Sequence, residues 1–245
     1  AANETRAKSL RLGEGRAGWD CLMDQLPSLA KQFSGSTPVN DFVFARTLSY
    51  STGDVVGRRW ALLPSAAGFV DPLLSTGFPL TLLGIQRLAK LLSAWPSETE
   101  LSAYRCKTLA ELDQVSRLVG ALYASMDDFE LFTALTQLYF AAVSFSETAH
   151  RLAKPELAGS FLLCDRTAFG QATREICEAV VNGARRNEVL AKIAATIEPI
   201  NVAGLADPAK RNWYPVDLDD LFGAAAKLDS TEAEIREMLL REQLL

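Results

Sequence analysis

Histidine is nearly missing from this chain: His150 is the only one in 245 residues. A single imidazole cannot build the multi-histidine zinc centres, so histidine-rich metal chemistry is excluded, and a nucleophilic triad would have to rest on that one residue. Cysteine is sparse as well. Cys21, Cys106, Cys164 and Cys177 form no C-x-x-C pair, and without a signal peptide to mark an oxidising compartment they point to a reducing cytoplasm. Positive charge is in deficit, with 25 Lys and Arg against 30 Asp and Glu. No basic face gathers the counterion-release energy on which nucleic-acid binding depends, which excludes that partner. Long apolar runs are missing too: the longest, Phe78 to Leu92, is interrupted by Gln86, Arg87 and Lys90, too short and polar to span a bilayer. Neither an initiator Met nor a targeting pattern opens Ala1 to Leu12, so the chain reads as cut from a longer protein or processed.

What is present is an ordinary globular composition, 49% hydrophobic and 22% charged, with enough apolar material for a substantial core. From Trp19 to Phe33 the apolar residues recur at helical spacing, and Pro27 divides the segment. From Asp41 to Tyr50 the period changes to two, predicting a half-buried strand. Gly53 and Gly57 mark a turn, and Trp60 to Leu63 reads as a short returning strand. Beyond Gly77 the pattern is helical. One helix runs from Phe78 to Ser93, ended by Trp95-Pro96. A second follows the Ser97/Glu100 capping box and carries its apolar face through Leu101, Tyr104, Leu112, Val115, Val119 and Leu122. A third follows Asp127 and Glu130, with Phe129, Phe132, Leu135, Tyr139, Ala142 and Phe145 as its stripe and Pro155 and Gly159 beyond its end. Further helices are predicted at Thr167 to Asn182, Glu188 to Ile197 and from Thr231, whose box is completed by Glu234. Glu198 to Asp219, with three prolines and a glycine, is predicted irregular.

The informative run is Trp60-Ala-Leu-Leu-Pro-Ser-Ala-Ala-Gly-Phe-Val-Asp-Pro-Leu-Leu-Ser-Thr-Gly77, leading into Phe78-Pro79-Leu80. Physically it is a strand, then small residues that admit a close ligand, an Asp-Pro turn and a helix start. Gly77 and Pro79 sit where helix starts favour them, and the unsatisfied N–H groups there suit an anion or developing negative charge. This run resembles the flavin-binding segment of the FAD-dependent halogenases and related aromatic hydroxylases. There, a strand ending in Trp leads to Gly-Asp-Ala-Ala-Gly-Phe, Asp-Pro, Ser-Thr-Gly or Ser-Ser-Gly and a helix. The likeness is strongest over Trp60 to Ala89. It continues more weakly through Leu138 to Ala142 and Asn212-Trp213-Tyr214-Pro215.

The resemblance implies FAD as cofactor, with Ser65, Ala66, Ala67 and Asp71 in flavin contact. Thr76 and Gly77 would meet a halide or a flavin carbonyl through their backbone amides. It also implies chemistry in which reduced flavin and O2 convert halide to hypohalous acid, or hydroxylate an aromatic ring. Two departures stand out. Pro64-Ser65 replaces Gly-Asp, removing the carboxylate that bonds the ribityl hydroxyls, and Leu74 stands where the tryptophan halogenases carry a catalytic glutamate. The second places the chain nearer the branch acting on phenols or carrier-bound substrates, so an aromatic or carrier-bound small molecule is the implied substrate. The family's glycine-rich loop, catalytic lysine and Trp-x-Trp-x-Ile-Pro signature belong to its N-terminal half and do not occur in this chain. The implied partner is therefore that missing FAD-binding half, without which the chain is expected to be inactive.

Other motifs fail on context. Gly13-x-Gly15-x-x-Gly18 matches a dinucleotide fingerprint, but no buried parallel strand leads into it. Glu147-x-x-His150 has the spacing of one di-iron helix and lacks the second histidine. The expected architecture is mainly α, a helical bundle with a small antiparallel β element near the N-terminus, the C-terminal part of an α+β flavoprotein. Residues 1–63 are expected to be a remnant of a substrate or β domain, and 64–245 a flavin-contacting loop with a helical domain. The alternative is a non-catalytic helical interaction module derived from a flavoprotein.

Overall fold

The computed structural model describes residues 4–45, 47–94, 96–207, 209 and 216–241. The chain divides into two compact units, Ala1–Ser49 and Tyr50–Leu245. In the first, α1 (Glu4–Ser9), α2 (Arg16–Gln25) and α3 (Pro27–Gln32) follow one another. Pro27 at the start of α3 breaks the periodic segment where its missing N–H costs least. The glycine fingerprint runs from the turn after α1 into the first residues of α2, with a helix and not a strand before it. Its last glycine packs tightly, since a Cβ at Gly18 would lie 2.3 Å from the Arg11 carbonyl oxygen.

Among the described residues of 41–50 the expected strand does not form. In this stretch only its end, where Tyr50–Ser51 is β1, is extended into a ladder, and Val43 is 94% exposed. Alternation specifies a strand only where a neighbour accepts its hydrogen bonds and a core receives one face. Here the aromatics are used otherwise: Phe42 lies against Trp19 at 5.7 Å between ring centroids, and Phe44 comes against Gly13.

The second unit begins with two minimal antiparallel pairs. Strand β1 pairs with β4 (Gly68–Phe69), and β2 (Val56–Gly57) pairs with β3 (Trp60–Ala61). Gly57 thus lies within a strand. Between β3 and β4, Pro64–Ala67 closes into one helical turn, α4, with Pro64 at its favourable first position. The expected helices then follow in order, α5 (Gly77–Leu91), α6 (Glu98–Ala124), α7 (Phe129–Arg151), α8 (Thr167–Val181) and α9 (Arg186–Ile197), and before the expected α11 (Glu232–Arg241) comes a short helix the sequence did not predict, α10 (Leu218–Gly223). The chain is mainly helical with small antiparallel β pairs. Trp95 and the Asn212 to Pro215 run lie outside the described residues.

Of the three entry boxes predicted, at Ser97/Glu100, Asp127/Glu130 and Thr231/Glu234, the first and last close reciprocally. The middle one does not. Asp128, not Asp127, caps α7 by accepting the Leu131 N–H at 3.1 Å, and Glu130 pairs with Arg186 instead. The core is the meeting of α6, α7, α8 and α9, where Leu118, Leu122, Leu135, Leu138, Phe145, Ile176 and Ile193 are almost wholly buried. At 1.5 Å per residue, the 27 residues of α6 run about 40 Å along this core. Among the described residues no helix is long and apolar enough to cross a membrane.

Candidate functional site

The segment from Leu62 to Thr81 is held in place largely by tyrosines. Tyr50 donates its hydroxyl to the Ser65 carbonyl at 2.6 Å, and Tyr104, from α6, donates to the Leu62 carbonyl at 2.8 Å. Tyr123, near the end of α6, donates to Asp71 Oδ2 at 2.9 Å, and Tyr139, from α7, donates to the Leu74 carbonyl at 3.1 Å. The chain has five tyrosines; the fifth, Tyr214, lies outside the described residues. A half-buried phenol must find an acceptor for its O–H. These four find theirs on one loop. Sequence periodicity placed Tyr104 and Tyr139 on apolar helix faces and Tyr50 on the apolar face of a predicted strand, and gave Tyr123 no role. The available signal was the hydroxyl itself, repeated on stripes otherwise built of Leu, Val and Phe.

Asp71 is the fastening point. Its Oδ1 accepts the Leu73 N–H at 2.8 Å while Oδ2 holds Tyr123, so the Asp-Pro turn is closed by a side chain as Asx turns are. Burial, and then the bond to the Asp71 carboxylate, push the Tyr123 phenol up to about 12. Burial also raises Tyr104 and Tyr139. Past the turn, Leu74 and Ser75 both take left-handed backbone conformations, with φ of 65° and 52°. Each such residue costs about 1 kcal/mol or more, which a surrounding framework must offset. Tyr139 on the Leu74 carbonyl and the Ser75 N–H on the Pro72 carbonyl at 3.0 Å supply part of it.

The consequence is directional. Between Ser75 (φ 52°) and Thr76 (φ −65°) the sign of φ reverses, an alternation of the kind from which anion-receiving backbone concavities are built. Helix α5 begins immediately after, and its first N–H groups have no intrahelical acceptor. Thr76 is 2% exposed. A Cβ at Gly77 would meet nothing within 4 Å, so the space beside it is open.

Of the other predicted residues, Ser65 and Ala66 are exposed on α4, while Ala67 is fully buried and accepts the Thr52 N–H through its carbonyl. Pro64 packs on α5: a Cβ at Gly84 would lie 2.2 Å from its Cδ. Helix α5 is anchored from below by Arg87, whose guanidinium grips the fully buried Glu111 carboxylate with two bonds of 2.6 Å. Glu111 also accepts the Phe161 N–H at 2.7 Å. The opposite face of α5 carries Phe78, Leu82 and Ile85 in the open, Phe78 at 73% exposure. No cluster of three or more metal-ligating side chains occurs among the described residues.

The sequence is similar to two halogenases. The chain is 26% identical over 195 residues to tetracycline 7-halogenase of Kitasatospora aureofaciens, 70% of this chain and 35% of that protein. It is 31% identical over 126 residues to monodechloroaminopyrrolnitrin halogenase PrnC of Pseudomonas fluorescens, 49% of this chain and 22% of that protein. The chain is halogenase-like, and the stretches matched come to about a third or less of the length of these relatives. No family model matches it, and no solved structure does.

Proposed function

We propose that this chain is the C-terminal region of an FAD-dependent halogenase or aromatic monooxygenase, contributing one wall of the flavin site and inactive without the part that holds the rest of the cofactor. The observation that carries the reading is the tyrosine-braced loop, which leads through two left-handed residues into the start of α5, where the space beside Gly77 is open. Asp71 acts through the turn it closes. Thr76 and Gly77 would receive a halide or a flavin carbonyl on their amides, and exposed Ser65 and Ala66 would flank the ribityl chain, with Ala67 contributing backbone alone. FAD, when bound, supplies the redox chemistry; this chain's part is to position charge acceptors and exclude water. The exposed stripe of Phe78, Leu82 and Ile85 beside this loop is the surface on which the FAD-binding half would pack. The substrate is an aromatic or carrier-bound small molecule. The burial of Pro64 against Gly84, with no carboxylate at Ser65, favours one other reading, a non-catalytic module retaining the fold.

The test uses the full reading frame that contains this chain, purified with FAD and titrated with bromide while the flavin absorbance is followed. A saturable, bromide-dependent shift is expected. Because a side chain at Gly77 meets only open space in the protein itself, Gly77→Val should weaken bromide by about tenfold or more without lowering the melting temperature. Thr76→Ser should stay within about twofold, since the donors are backbone groups. FAD binding without a bromide response supports hydroxylation, and absence of FAD binding overturns the enzymatic reading in favour of the module.

A further inference from the structure

Away from that loop, α7 and α9 enclose a cleft of about 730 Å3, closed by the segment 198–207, a volume within the range of small-molecule sites. Arg186 at the start of α9 pairs with both Asp128 and Glu130 at the start of α7, so the two helices run in the same direction from a common tie. The floor and walls are apolar, formed by Ala134, Leu190, Ile193, Ala194, Ile197 and Leu205. The cleft lies on the other side of α7 from the flavin loop: at 100° per residue, Gln137 in the cleft and Tyr139 on the loop project about 200° apart.

Two features make this a built site and not a crease. Its closing segment is pre-ordered. The Asn201 side chain donates to the Leu205 carbonyl and accepts the Leu205 N–H, both at 2.8 Å, while Lys227 ties Glu198 Oε1 at 2.9 Å and the Asn201 carbonyl at 3.2 Å. Its charge is also one-sided. Three carboxylates, Glu130, Glu198 and Asp207, line it, and no Lys, Arg or His does so among the described residues. Arg186 and Lys227 offset two of the three from outside the lining. Asp207, whose Oδ1 accepts the Ala209 N–H at 2.8 Å, has no cation paired with it among the described residues. The carbonyl end of α9 adds to the same sign, and at the other end of the cleft, where α7 and α9 are tied, Phe129, 84% exposed, offers a ring face of the kind that attracts cations.

We propose that this cleft is a binding site for a small molecule with an apolar ring body and a protonated amine. The rings lie on the Ala134, Ile193 and Leu205 surface, and the ammonium group faces Asp207 and the end of α9. The proposal stands on the cleft alone and does not depend on flavin chemistry.

Three probes of similar shape separate charge from apolar fit: 1-naphthylmethylamine, 1-naphthylmethanol and 1-naphthylacetate, titrated into the 245-residue chain by calorimetry at low salt. The expected order is amine, alcohol, carboxylate, with the amine favoured about fivefold over the alcohol and weakened by added NaCl. Ala194 is exposed, so Ala194→Phe should fill the cleft and reduce amine binding about tenfold while leaving the thermal melt unchanged. Asp207→Asn keeps an oxygen for the Ala209 N–H. It should remove the preference for the amine while leaving the alcohol's affinity intact. Equal binding of amine and carboxylate, no saturable binding of any probe, or amine affinity unmoved by Ala194→Phe would each overturn the proposal. Should Ala194→Phe lower the melt, Ala134→Phe on the facing wall provides the same readout.

Discussion

Tyr123 is the residue at which burial, charge and loop geometry meet, and it makes the candidate site sensitive to alkali. Its phenol is held up to about 12 by burial and by Asp71, against about 10 in an unfolded chain. Below pH 10 both states keep the proton, so the contribution to stability is complete there. Between pH 10 and 12 the unfolded chain ionises while the folded one does not, and stability falls as pH rises. Urea midpoints at pH 9 and pH 11 should therefore differ in the wild type and differ less in Tyr123→Phe; equal differences in both proteins would remove Tyr123 from this role. Tyr104 and Tyr139, raised in the same direction, leave the variant a residual slope. At neutral pH the same substitution deprives Asp71 of a donor and should cost about 1 to 3 kcal/mol. At this scale half of the candidate site's framework is local in the sequence. The Asp-Pro turn, Thr76 and Gly77 are legible because they are neighbours in the chain. Tyr123 lies 52 residues from Asp71, and no local pattern connects the two.

The helices were legible as elements because their apolar stripes and two of their caps are local signals, and the departures came where a local signal had two readings. At the start of α7, Asp127 and Asp128 adjoin, and spacing alone cannot choose between them. The choice falls to Asp128, which caps the helix and, like Glu130, pairs with Arg186. Over 41–49 the alternation was real, but among the described residues no second strand pairs with it. Least legible was Glu111, a charged residue in the middle of the buried face of α6. Its carboxylate is fully buried and joins three elements, α5 through Arg87, α6 itself and the chain before α8 through Phe161. Breaking such a pair from one side leaves a buried charge uncompensated. Arg87→Ala should thus lower stability by about 3 to 5 kcal/mol. The double variant Arg87→Met/Glu111→Leu, which leaves only the Phe161 N–H without its acceptor, should lose less than the single one. Chemical denaturation of the two variants checks the order, and a double variant less stable than Arg87→Ala would mean that the pair's main role is to hold Phe161.

At the scale of the whole chain, the two units differ sharply in what holds them. Among the described residues, Leu10 is the one buried hydrophobic side chain before residue 50, whereas the contiguous core of α6 to α9 lies entirely beyond it. A segment of under 50 residues burying so little has small means to offset the chain entropy lost on folding, of the order of 1 kcal/mol or more per residue. The second unit has those means, together with the Arg87–Glu111 pair and the four tyrosine braces, and its first strand begins at Tyr50. A cut after Ser49 removes none of these interactions. The chain 50–245 should therefore melt as one cooperative transition within a few degrees of the intact chain, while 1–49 alone should show none, as followed by circular dichroism at 222 nm and by calorimetry. Tyr50 then becomes the terminal residue, and its bond to Ser65 is the contact most exposed to the cut. If 50–245 loses cooperativity, the same experiment on 48–245, which restores two residues ahead of the strand, distinguishes fraying of β1 from a real dependence on the first unit. Loss of the transition in both fragments would show that the helical core cannot stand without residues 1–49.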